Sequence, residues 1–223
     1  MPGMVDSKAV IFDLDGVIIY SEPLAHKAWN AFLRTCGAQM TAEEYRQLIG
    51  MDSRFSVDHV RKQKNIDLPQ DDILQEVWEH KLSIIREEAE PAPGAASLLD
   101  ALRARGLAIG LASNSKGEYV NLTLETMQFR PYFQVVVTAD DVSFGKPAPD
   151  LYLHAAAALG QPPERCLAIE DSPAGVRAAQ AAGMRCVVIP NPELRAQEFP
   201  PSYASYPDLI ALQEALDGLL DGG

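Results

Sequence analysis

Cysteine is scarce in this chain. Three occur in 223 residues, Cys36, Cys166 and Cys186, an odd count with no Cys-x-x-Cys spacing. That pattern offers no thiolate metal framework, and free thiols in a reducing compartment are the simpler reading. Long apolar runs are missing too. None approaches the roughly 20 residues that span a bilayer, and the opening Met1-Pro2-Gly3-Met4-Val5-Asp6-Ser7-Lys8 has no apolar signal core. The expectation is a soluble, cytoplasmic protein with no membrane partner. Basic residues are outnumbered, 19 Lys and Arg against 31 Asp and Glu, for a formal net charge of -12. Nucleic-acid binding draws most of its affinity from a basic face, so a nucleic-acid partner is not expected. A small anionic substrate stays open, because a metal ion and a few lysines can reverse the local field. Internal repeats and low-complexity tracts are absent. Oligomeric state is left open, with a monomer as the simpler expectation.

What is present is ordinary for a globular protein: 47% hydrophobic and 22% charged residues. The length suits one large domain, or a core with a smaller inserted domain. The organising stretch is Val10-Ile11-Phe12-Asp13-Leu14-Asp15-Gly16-Val17. A short apolar run ends in two carboxylates one residue apart, then glycine. This predicts a buried strand opening into a tight turn. Two acids so close repel unless a cation lies between them or one holds a proton. The pair is a metal site, an acid/base pair or an ordinary acidic turn, and the rest of the chain has to decide.

Past Asp15 the periodicity becomes helical. Pro23 suits a first turn. Leu24, Ala28, Trp29, Phe32 and Leu33 recur at helical spacing until Gly37. Thr41-Ala42-Glu43-Glu44 is a capping-box pattern opening a second helix that ends near Gly50. Residues 53–64 and 70–88 read as two more. Asp71 and Asp72 fit a helix N-terminus better than a metal site. Residues 21–90 are therefore expected to be all-helical.

After Pro91-Ala92-Pro93-Gly94, strand and helix alternate. Strands are predicted at 107–112, 133–137, 166–169 and 185–189. Helices are predicted at 95–105, 116–128, 149–159, 173–182 and 207–220. Alternation of this kind predicts an open parallel sheet with helices on both faces. The strand ending at Asp13 joins that sheet, and 21–90 becomes an insertion after it. The expected division is 1–20 with 91–223 as the core, and 21–90 as a helical cap.

Ligands bind at the carboxyl ends of strands in such sheets. Asp13 and Asp15 follow the first strand, Ser113 and Asn114 the second, Lys146 the third, Glu170 and Asp171 the fourth. Each alone suits a turn or cap, but four strand ends converging on one patch point to a site. At these residues the chain resembles the haloacid dehalogenase superfamily of phosphoryl-transfer enzymes. The resemblance rests on Asp13-Leu14-Asp15-Gly16-Val17, Ala112-Ser113-Asn114-Ser115, Gly145-Lys146-Pro147-Ala148-Pro149-Asp150 and Ile169-Glu170-Asp171-Ser172-Pro173-Ala174-Gly175. It covers nearly the whole chain and implies a Rossmann-like α/β core with a small inserted helical cap.

The resemblance also implies roles. Asp13 would be the nucleophile on a phosphate monoester, forming an aspartyl-phosphate. Mg2+, which prefers oxygen ligands, would be held by Asp13, Asp171 and the backbone carbonyl of Asp15, with Glu170 a ligand or a residue just behind. Asp15 would be the general acid and base. Ser113, the Asn114 amide and Lys146 would hold phosphoryl oxygens. Asp15 argues against the dehalogenase branch, which lacks a carboxylate there. No cap lysine suits the phosphonate-cleaving branch in 47–56. Sugar-phosphate mutases carry a histidine twelve residues after the nucleophile. Here that place is Ala25, with His26 one late, and Ile49 stands where their cap-loop lysine would be. A phosphatase acting on a small phosphorylated metabolite, such as a sugar phosphate, is the expected activity. A mutase is the alternative and an idle binding module the second. Arg54 and Met51 are the expected cap contacts to substrate. Tyr20, at the exit to the cap, reads as a tolerated surface change, with altered cap closure or a substrate contact as the alternative. His59, His80 and His154 form no ligand pattern. Trp29, Phe32 and Trp78 are expected inside the cap, and Cys166 and Cys186 in the core.

Overall fold

The computed structural model describes residues 7–191 and 199–220. The chain divides into two compact units, one made of the residues up to Tyr20 with those from Glu90 onward, the other Ser21–Ala89.

The first unit is built on six parallel strands: β1 (Ala9–Phe12), β2 (Ala108–Ala112), β3 (Val135–Val137), β4 (Cys166–Glu170), β5 (Arg185–Val188) and β6 (Ala204–Ser205). Their order is β3-β2-β1-β4-β5-β6. β1 is central, and every residue of its Ala-Val-Ile-Phe run is fully buried. A strand buried on both faces needs apolar side chains in both directions, which explains the unbroken run. Ala9 and Ile11 join a core with Leu151, Tyr152, Ala155, Val176 and Ala179. These come from α7 (Asp150–Ala158) and α8 (Pro173–Ala181). Val10 and Phe12 point the other way, and Phe12 meets Phe133 edge to face at 6.3 Å. The remaining helices are α5 (Ala95–Ala104), α6 (Gly117–Thr126), α9 (Leu209–Glu214) and α10 (Leu216–Leu220).

Chain order reverses across β1, with β2 on one side and β4 on the other. That is the switch point at which open α/β sheets form a crevice. Phe12 pairs with Leu111 and with Ile169. One residue further, Asp13 therefore emerges beside Ala112 and Glu170.

Two sequence expectations are corrected at the C-terminal edge. The helix expected at 207–220 is two short helices interrupted at Ala215, the first capped by Asp208, whose side chain accepts from Ala211 N–H at 2.8 Å. β6 was not expected; two residues carry no periodicity, and this strand exists through its pairing with β5. β3 is also shorter than 133–137, because Phe133 and Gln134 precede the paired residues.

The second unit is four helices: α1 (Glu22–Thr35), α2 (Ala42–Arg46), α3 (Ser53–Gln63) and α4 (Gln70–Glu88). Trp29, Phe32, Leu33, Tyr45, Val57, Val60 and Ile73 form its core. Gly37 takes a φ of 68° just beyond α1, a left-handed turn that glycine adopts without strain. Trp78 departs from its expected burial: it is partly exposed and lines a cavity of about 200 Å³ with Trp29, Met51 and Lys81. The capping box forms, with Glu44 N–H donating to Thr41 Oγ1 at 3.2 Å and Thr41 N–H to Glu44 Oε2 at 2.8 Å. Lys64 Nζ also donates to Glu44 Oε1 at 2.6 Å. Chiefly through the Lys64 bond, then the Thr41 amide, Glu44 is held down at about 2.

Thr41→Ala is expected to cost about 1 kcal/mol of stability, the usual worth of such a cap, measured by denaturant unfolding. Because Glu44 is depressed in the folded state, its contribution is fully present above the unfolded carboxyl range and lost as pH falls through about 2. The stability gap between wild type and Glu44→Gln should therefore be full near pH 7 and close toward pH 2.

Candidate active site

Asp13 follows β1 directly, its N–H donating to Ile169 O at 2.9 Å. It is 7% exposed, Glu170 0% and Asp171 5%. Carboxylate oxygens from these three lie within 4.8 Å of one another. Lys146 Nζ donates to Asp13 Oδ1 at 2.5 Å, to Glu170 Oε1 at 2.6 Å and to Ala112 O at 2.8 Å. An ammonium has three protons, and all three are engaged. Nζ also sits 5.0 Å from the centre of the Tyr152 ring, a cation–π contact. The Lys146–Pro147 peptide is cis.

Burial pushes Asp13 up to about 8 against the opposing pull of Lys146, and the charges of Glu170 and Asp15 add to the rise. Burial, with Asp13 and Glu170 alongside, also raises Asp171 well above the carboxylate range, despite a hydrogen bond from Asn191. Burial alone would lower Lys146; Asp13 and Glu170 outweigh it, so the lysine is raised and stays charged. Among the described residues, three buried carboxylates against one ammonium leave two negative charges unbalanced when all are ionised. A divalent cation with oxygen preference fits that surplus and that donor set.

The surrounding residues fix each acid. Asn191 Nδ2 donates to Asp171 Oδ2 at 2.9 Å. Glu170 accepts from the Tyr152 hydroxyl at 2.7 Å on Oε1, and from Ser172 Oγ and Asp171 N–H, each at 3.2 Å, on Oε2. Both its oxygens are therefore occupied. Two glycines make room. At Gly16, where φ is 80°, a Cβ would lie 1.8 Å from Asp171 Oδ2. At Gly175 it would lie 1.9 Å from the Glu170 carboxyl carbon.

Ser113 follows β2 and is 1% exposed; its Oγ accepts from Ser115 N–H at 3.0 Å. The Asn114 side chain is a brace on the lysine loop. Its Oδ1 accepts from Lys146 N–H at 2.7 Å, and its Nδ2 donates to Lys146 O at 3.2 Å. Asp15 sits apart from the carboxylate cluster's hydrogen bonds: Ser115 Oγ donates to Oδ2 and the Tyr119 hydroxyl to Oδ1, each at 2.8 Å.

Among residues of the helical unit, Arg54 pairs with Asp71 at 3.0 Å and donates to Gln70 Oε1 at 3.0 Å. His26 Nε2 lies 2.9 Å from Met40 O and from Asn30 Nδ2, and its ring stacks on Tyr45 at 5.0 Å. Met51 is 47% exposed. Tyr20, which belongs to the first unit, is 41% exposed, in keeping with a surface residue.

Sequence reasoning missed Tyr119, Tyr152 and Asn191, and gave Ser115 no role. One signal was available: a tyrosine on a buried helical face must find a partner for its hydroxyl. Which partner it finds depends on the packed structure.

Residues 7–183 match the family model described as haloacid dehalogenase-like hydrolase. The chain is 35% identical over 185 residues to YhcW of Bacillus subtilis (strain 168), covering 82% of this chain and 84% of that protein. It is 32% identical over 188 residues to hexitol phosphatase B of Escherichia coli (strain K12), covering 83% and 84%. The crystal structure of CbbY from Rhodobacter sphaeroides in complex with phosphate superposes with a TM-score of 0.80 at 29% identity, covering 92% of this chain and 96% of that one. The chain belongs to the haloacid dehalogenase-like hydrolases.

Gly175→Ala tests how tightly the site is packed. Glu170 is wholly buried and bonded on both oxygens, so it has nowhere to retreat. The substitution is expected to cost about 1–3 kcal/mol, as overpacking does, read as a lowered thermal midpoint.

Proposed function

We propose that this protein is a Mg2+-dependent phosphatase that hydrolyses a small phosphorylated metabolite, such as a sugar phosphate, through an aspartyl-phosphate. The observation that carries the reading is the buried Asp13–Glu170–Asp171 cluster with Lys146 at the ends of adjacent strands. The name of the hexitol phosphatase relative and the phosphate in the CbbY complex support the substrate class.

Asp13 is the proposed nucleophile. Lys146 holds one of its oxygens and so orients the other. Asp13, Asp171 and the Asp15 backbone carbonyl would hold Mg2+, with Glu170, already bonded on both oxygens, set behind them. Mg2+ so held would offset the repulsion between a carboxylate and a phosphate dianion. Ser113 has its own O–H to donate to a phosphoryl oxygen while its Oγ accepts in the turn. The Asn114 backbone amide is the second proposed donor, since its side chain is committed to Lys146. For Lys146 to bind a phosphoryl oxygen it would have to exchange one of its three present partners. Asp15 would protonate the leaving alkoxide and then take a proton from the attacking water. Arg54 would have to leave Asp71 to meet a ligand. The partners His26 already has within its own unit speak for packing there, which favours the phosphatase over the mutase.

Phosphate release across a panel of hexose, hexitol and pentulose phosphates, with and without Mg2+, tests this. Wild type should release phosphate only with the metal, and Asp13→Asn should lower the rate by roughly a thousandfold or more. Release without Mg2+, or release by the variant at close to the wild-type rate, would overturn the reading. Metal binding also has a pH signature. Asp13, raised to about 8 without metal, is protonated below that pH, so Mg2+ must displace a proton. Mg2+ affinity by calorimetry should climb from pH 6 to pH 8, with proton release at the lower pH.

A further inference from the structure

Asp15 has no help from its neighbours in sequence. Leu14, Gly16, Val17 and Ile18 offer no side-chain hydrogen bond. Its carboxylate is held instead across a separation of about a hundred residues, by Ser115 on Oδ2 and Tyr119 on Oδ1. Ser115 lies in the turn after β2, two residues before α6 begins at Gly117, and Tyr119 lies in the first turn of that helix, so the strand-to-helix junction brings both hydroxyls to Asp15. Tyr119 is fully exposed to nothing but protein: its accessibility is 0%, and a buried ring of that size has no freedom to follow a moving partner.

We propose that Tyr119, with Ser115, is the positioning pair for Asp15. This rests on the phosphatase reading above. In the first half-reaction, a bond forms between Asp13 and phosphorus, the bond from phosphorus to the leaving oxygen breaks, and the Asp15 proton goes to that oxygen. In the second, a water oxygen bonds phosphorus, the bond to Asp13 breaks, and Asp15 takes the water's proton. The Asp15 carboxyl must keep one place while its charge alternates. A phenol can donate to it in either state, and the Ser115 hydroxyl can donate to the carboxylate or accept from the acid. The lever is then the junction between β2 and α6: the turn carrying Ser115 and the first helical turn carrying Tyr119 set the aim of the proton donor.

The test is leaving-group sensitivity. An alkoxide needs a proton as it departs, and 2,4-dinitrophenolate does not. kcat/KM reports the steps through phosphoenzyme formation, so it isolates the first proton transfer. Tyr119→Phe should lower kcat/KM by about tenfold or more for the alkyl phosphate turned over fastest in the panel, a part of the usual worth of general acid catalysis. It should leave kcat/KM for 2,4-dinitrophenyl phosphate within about threefold. In an Asp15→Asn background the same substitution should have little further effect on the alkyl phosphate. Equal losses on both esters, no loss on the alkyl ester, or a full additional loss on top of Asp15→Asn would each overturn the proposal. If Tyr119→Phe does not fold, Ser115→Ala carries the same comparison with the same outcomes. An inactive wild type or an active Asp13→Asn would instead sink the phosphatase reading, so the two fail separately.

Discussion

The structure turns on a charge imbalance in a buried place. Asp13, Glu170 and Asp171 share one buried patch, and among the described residues Lys146 is the cation paired with it. Burying an ionised carboxylate is expensive unless it is paired and hydrogen-bonded. Lys146 spends all three protons on the problem, and Tyr152, Ser172 and Asn191 cover most of what is left. The remaining surplus is what a divalent cation would neutralise. The lysine would then be the fixed part of a counter-charge whose other part is exchangeable.

The sheet makes that patch possible. β1 lies at the point where chain order reverses, so the ends of β1, β2 and β4 open side by side. Packing around the acids is tight enough that Gly16 and Gly175 have no room for a Cβ. Position is thus set twice, by register in the sheet and by contact at the glycines. Asp15 follows a different rule, its two oxygens reached by Ser115 in the turn after β2 and by Tyr119 in α6. Two carboxylates one residue apart in sequence are held by separate parts of the core, a separation that the proposed nucleophile and proton donor would each need.

Much of the core was legible from the sequence because the signals were local. Unbroken apolar runs at β1, β2 and β4 mark strands buried on both faces, and the polar residue after each run marks the strand's end. Thr41 and Glu44 announced a capping box that forms. What was not legible depended on distance in the chain. β6 has two residues and exists only by pairing with β5. Trp78 looked like a core residue by type, yet it borders a cavity. Tyr119, Tyr152 and Asn191 read as helix or loop residues, and their meaning lies in partners 104, 18 and 20 positions away. Local patterning can place an acid at a strand end; it does not show what holds the acid there.

The central claim is that Asp13, and not Asp15, bonds to phosphorus. Trapping settles between them. Enzyme mixed with Mg2+ and a turned-over phosphate ester, quenched in acid within a single turnover and reduced with borohydride, converts a phosphorylated aspartate to homoserine. Peptide mass spectrometry should find homoserine at position 13 and aspartate at position 15. Homoserine at position 15, or at neither position while phosphate is being released, would contradict the account.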